Sequence, residues 1–219
     1  MKTSLVVAFA LSLCGGCFLM PSSNQRATSP PDGLLVDTSP AQRERVADAR
    51  VVVGRAKDAV ASSQRHHQES RDAVVAAGQR REASQAEVAH ATLALGNLER
   101  NGSTADVDTA RTKLRTVEAT RGVEDARCDL RDREVVSAAH QVAVAKARLD
   151  VAVAQLELAK VVAVNTLDRP DLQKPDVTVF EASVRKAEGQ VEVAQASLGV
   201  AEREVEVRRG VLVERQKGL

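Results

Sequence analysis

A seven-residue rhythm in which bulky and small side chains take turns constrains this chain more than anything else in it. One position of the repeat reads Val46, Val53, Val60, His67, Val74, Arg81, Val88 and Leu95. Its companion reads Ala49, Ala56, Ser63, Ser70, Ala77, Ser84, Ala91 and Leu98. A second run follows the same scheme. Val107, Leu114, Arg121, Cys128, Val135, Val142, Leu149 and Leu156 alternate with Ala110, Val117, Glu124, Arg131, Ala138, Ala145, Ala152 and Ala159. A heptad sustained this long keeps one helical stripe turned to a neighbour and coils the two helices left-handed. The expected fold is all-α.

Punctuation sets the ends. Proline, which breaks a helix interior, is absent from 41 to 169. Ser39, Pro40 and Gln42 form a start signal, with a capping side chain, a first-turn proline and an S-x-x-Q box. The first helix is predicted over 40–100, stopped by Asn101-Gly102. Ser103 with Asp106 opens the second at once, over 104–164. Pro170 and Pro175 mark the next connection, and a Thr178/Glu181 box opens a third helix over 179–216. The glycine stop makes the first two helices an antiparallel hairpin.

Size complementarity selects a register for that hairpin. Val53 is set against Ala152, Ala49 against Leu156 and Ala91 against Leu114, so large meets small repeatedly. The same alignment sets Arg81 against Glu124, and an ion pair between them is expected. The second helix has a further apolar stripe on nearly its opposite side, Val144, Ala147, Val151, Ala154, Leu158 and Val161. The third helix matches it with Val184, Ala187, Val191, Ala194, Leu198 and Ala201. The expected antiparallel pairing sets Leu158 on Ala187, Ala154 on Val191 and Ala147 on Leu198. The third helix then covers only the hairpin base and leaves a bare stalk from about Val74 to Arg131. The run Gln141, Val142, Val144, Ala145 echoes as Gln190, Val191, Val193, Ala194, a shift of whole heptads. A last stripe, Val179, Ala182, Val193, Ala196, Val200 and Val207, either packs on the first helix to close a bundle or stays outward as a contact surface.

The N-terminus reads differently. Lys2 precedes an apolar run from Leu5 to Leu13, which is too short to span a bilayer and the right size for a signal-peptide core. Gly15, Gly16 and Cys17 follow, and this segment resembles a bacterial lipoprotein lipobox, which implies diacylglycerol on Cys17. A plain signal peptide cut nearby is the alternative. The lipobox position three before the cysteine holds Cys14 where Leu is usual. Phe18 stands after Cys17 where Asp would imply inner-membrane retention, so the resemblance implies the outer membrane. The expected division is a signal peptide over 1–16, a lipidated N-terminus and flexible linker over 17–39, and a three-helix coiled-coil rod over 40–217.

Composition narrows the function. The 31 Lys+Arg nearly balance 30 Asp+Glu, and the only aromatics are three Phe. This argues against a nucleic-acid partner, which would call for a basic stripe and stacking rings. His66 and His67 are adjacent and diverge by about 100° on a helix, and no zinc spacing is present. No phosphate loop or nucleophile–base arrangement is found, so no enzyme, cofactor or metal site is expected. Cys128 reads either as a small buried hydrophobe or as an intermolecular disulfide.

Ala194-Gln195-Ala196-Ser197-Leu198, Ala201-Glu202 and Arg209-Gly210 resemble helical repeats of TolC-type outer-membrane efflux proteins. The long hairpin is also similar to those of periplasmic adaptor proteins, although their flanking domains are missing. The expectation is a lipid-anchored periplasmic coiled-coil protein acting as spacer, scaffold or docking element. Its partners would be membrane lipid through Cys17, an unidentified envelope protein contacting the tip at Asn101 and Gly102, and a possible second copy. The alternative is an accessory of an efflux or secretion system assembling through two-faced helices.

Overall fold

A computed structural model describes residues 30–218. A short 3-10 helix, Asp32–Asp37, precedes three long helices: α1 (Pro40–Asn101), α2 (Thr104–Asn165) and α3 (Val177–Lys217). Among the described residues there is no strand. α2 is central, with α1 packed along one stripe and α3 along another. At about 1.5 Å per residue, α1 and α2 each reach roughly 90 Å and α3 roughly 60 Å.

The helix ends follow from their caps. The Ser39 hydroxyl accepts from the Gln42 amide at 3.3 Å, with Pro40 in the first turn. At α2 the capping box is reciprocal, Ser103 accepting from the Asp106 amide while Asp106 accepts from the Ser103 amide. α3 departs from expectation. Its cap is Asp176, whose Oδ1 accepts from the Thr178 amide at 2.9 Å and hydroxyl at 2.8 Å. The Thr178 hydroxyl is thus used as a donor, and the helix opens two residues before the predicted 179.

The first seam is laid out as the heptads require. Of the expected seam positions, only Arg81 on α1 and only Arg121 on α2 are exposed; the others are buried or half-buried. Val46 packs with Leu156, Ala159, Ala163 and Val164 at the base. Val52, Ala56 and Ala59 share a recess with Ala145, Arg148 and Ala152, at the level the size matching assigned.

The second seam uses the expected stripes with a different register. Arg133 meets Glu204 at 3.0 Å, and Arg208 meets Asp129 at 4.0 Å. Leu198 lines a recess with Gln141 and Val144 rather than facing Ala147. α3 therefore lies about one heptad nearer the tip than the Leu158–Ala187 pairing demands. Arg215 comes within 3.9 Å of the point where a side chain on Gly122 would begin. The bare stalk is correspondingly short, and Glu124 and Arg131 lie alongside α3 rather than beyond it. A compact connection holds this register. Leu167 is buried in the base core beside Leu172, the Asn165 side-chain Nδ2 donates to the Pro175 carbonyl at 3.0 Å, and Phe180 is buried one turn into α3.

The expected flexible linker over 17–39 is corrected over its last third. Pro30 is buried, Leu35 enters the base core, and the buried Thr38 hydroxyl donates to the Leu35 carbonyl at 2.7 Å. Asp32 bridges Arg50 of α1 (3.0 Å) and Lys160 of α2 (3.3 Å), while Arg169 reaches Asp37 at 3.5 Å. This strap folds because Leu35 removes apolar surface at the point where α1 begins and α2 ends.

Candidate functional site

The turn between α1 and α2 is the distal end of the rod. Asn101, Gly102, Ser103 and Thr104 are all exposed. The Gly102 amide donates to the Leu98 carbonyl at 2.6 Å, and a Cβ on Gly102 would stand 2.7 Å from that same oxygen. Close approach, not an unusual backbone angle, calls for glycine: its φ is −97°. The Ser103 hydroxyl and amide hold the Asp106 carboxyl below its ordinary 3.8. Glu99 and Arg111 tie the two arms at 3.1 Å. The tip thus offers hydrogen-bonding groups on a short, exposed turn.

The polar layer in the hairpin differs from the expected Arg81–Glu124 pair. Glu124, largely buried, pairs with Arg127 on its own helix and lies 4.0 Å from the Nε of Arg80. Its Oε2 is buried without a hydrogen bond, so Arg80 acts on it by charge alone. Arg81 is exposed and falls beside Cys128. The physical reason is position. A residue at the centre of a seam must bury its charge to reach across, whereas the flanking position reaches around the edge, where interhelical ion pairs ordinarily form. Burial pushes the Cys128 thiol up, with the Arg81 charge opposing, and the side chain is a buried member of the first seam.

The histidines are dispersed. His66 is exposed, 3.8 Å from Glu69, and His67 is half-buried in the first seam. Among the described residues, no group of three or more His, Cys, Asp or Glu is placed to hold a metal, and no helix is long and apolar enough to cross a membrane. Cys17 lies outside the described residues.

Between α1 and α3 the surface of α2 forms the floor of open recesses. The larger, of about 660 Å³, has walls of Val52, Ala56, Ala59 and Leu198 over Val144, Val151 and Ala152. Another places Arg131, Arg209, Glu69 and Glu134 together, charges of both signs that neutralise one another. His66, Ser70 and Ser137 line the second recess as well; the Ser70 hydroxyl donates to the His66 carbonyl at 2.9 Å, and His66 Nδ1 lies 3.8 Å from Glu69.

Sequence reasoning did not single out the strap residues Asp32 and Leu35 or their partners Lys160 and Arg169. The Leu34-Leu35 pair inside a polar, proline-rich stretch was the signal that could have found them. Set against models of known families, curated proteins and solved structures, the chain matches none.

Proposed function

We propose that this protein is a non-enzymatic, lipid-anchored spacer and docking rod of a bacterial cell envelope, held in the outer membrane by acylated Cys17 and facing the periplasm. One observation carries the reading: the strap brings the chain out of the rod at its base, the end opposite the exposed tip. A lipid on Cys17 then anchors the base, and a hairpin of roughly 90 Å carries Asn101 and Gly102 away from the bilayer. Three acyl chains exceed the two signals that stable anchoring needs. The narrow rod, with its mutually neutralised charges, suits reach and contact better than chemistry on a small molecule. A second reading, an accessory of an envelope export system, draws on the outward-facing stripe of α3.

Mass spectrometry of the mature N-terminal peptide tests the anchor. The expected product begins at Cys17 and carries fatty acyl chains, and Cys17→Ser abolishes both modification and membrane retention. An unmodified Cys17, or a mature chain beginning elsewhere, overturns the proposal.

A further inference from the structure

The side of α3 turned away from α2 carries a third seam that nothing in the monomer covers. Val193, Val200 and Val207 are 69%, 50% and 65% exposed. The companion position of the repeat reads Ala182, Gly189, Ala196, Arg203 and Gly210, so small residues alternate with the valines as in the buried seams, except that Arg203 stands between Val200 and Val207 and Lys186 between Val179 and Val193. α1 does not cover this face, because its packed partner is α2. The α2-facing residues Ala187, Ala201 and Val205 project from nearly the opposite side of α3. Two of the small positions are glycines, an unfavourable choice in a helix interior. Nothing lies within 4 Å of where a side chain would begin at Gly189 or Gly210, so no contact inside the monomer calls for their size.

We propose that this seam pairs with the same seam of a second copy, the two α3 helices running antiparallel. In that register Val193 meets Ala196 of the other copy, Val200 meets Gly189, Val207 meets Ala182, and Val179 meets Gly210. Twofold symmetry repeats each contact, so every valine lands on a small residue and the glycines receive side chains. Arg185 and Glu206 oppose one another along the edge, which adds charge complementarity. A parallel pair instead sets valine on valine and glycine on glycine, leaving voids that packed interfaces avoid. In the antiparallel pair Lys186 and Arg203 meet each other, and their long stems let both charges turn outward to water. The two hairpins then point in opposite directions, each with its base strap at a different end of the assembly. The pairing does not require acylation of Cys17; with both copies acylated, the antiparallel pair fits only lying along the bilayer, so the upright rod described above is the unpaired form.

Sedimentation of the full chain in mild detergent tests it, with a dimer expected at micromolar concentration and a monomer up to about 100 µM overturning it. Gly189→Leu is the discriminating variant. The open space around Gly189 lets the monomer keep its helical signal, while Val200 of the other copy loses its seat and the dissociation constant rises at least about tenfold. Tighter association on adding leucine would mean unspecific apolar contact and overturn the proposal. Direction is read from nitroxides at Arg209→Cys, beside the seam and not in it, with Cys14, Cys17 and Cys128 replaced. The antiparallel pair separates the labels by about 45 Å along the helices. A separation under about 20 Å, the helix spacing plus two label arms, would mean a parallel pair and overturn the arrangement.

Discussion

The base and the tip of the hairpin are built from the same heptad grammar, yet they are held differently. At the base, three helices and the strap enclose side chains on several sides, and Val46, Val161 and Val164 are fully buried there. Beyond Ala91 on α1, and before Val123 on α2, no residue of the hairpin is buried. Leu95, Leu98 and Leu114 sit in the seam there but stay half-exposed, because a two-helix pair covers only one side of each. The difference teaches that a heptad specifies a neighbour, while burial depends on how many neighbours arrive. Stability is therefore graded along the rod, with local opening cheapest at the distal end.

Three experiments would break or sharpen this contrast. The largest effect is expected from a charge in the base core. Val164→Asp, which leaves an unpaired buried carboxylate, should cost about 3–5 kcal/mol in urea unfolding. Leu95→Asp near the tip should cost less, about 1.5 kcal/mol, since that side chain is only partly covered and a carboxylate there can reach water. Equal losses would mean that the rod is uniformly stable. Next, Ser103→Ala removes the cap of α2 and should cost about 1 kcal/mol. Amide exchange should quicken around the tip while amides near Val46 and Val161 stay protected; slowing or loss of protection at the base would contradict a local role.

The smallest effect is a pH dependence confined to the same turn. The folded Asp106 carboxyl titrates below its ordinary 3.8 because Ser103 hydrogen-bonds the charged form. Its contribution is complete above 3.8 and is lost as pH falls through the lower folded value. Exchange at the tip, corrected for the intrinsic effect of pH, should therefore rise in that acid window. Ser103→Ala should flatten the response, and a response unchanged by that variant would exclude the cap as its source.

Much of this architecture is legible in the residues. The ends of α1 and α2 fall within one residue of the positions read from Ser39, Pro40, Asn101, Gly102 and Ser103, because caps are local chemistry between residues three or four apart. The first seam is legible because its two arms are joined by a turn too short to permit sliding. The polar layer was half legible. Glu124 was placed at the right level, but adjacent arginines differ only by rotation on the helix, and the edge position of Arg80 proved the better one for reaching it.

The sequence by itself therefore determined three helices, the hairpin and the stripes by which each helix meets its neighbours, since periodicity and capping act over a few residues. Only the tertiary structure decided how far α3 slides along α2 and where residues 30–39 go. A heptad pattern looks alike after a shift of one repeat, and α2 and α3 are joined by a connection long enough to allow such a shift, so size matching alone did not choose between their neighbouring registers. The packing of Leu167, Leu172 and Phe180 in and beside the base makes that choice, and the same base gives Leu35 a place to leave water.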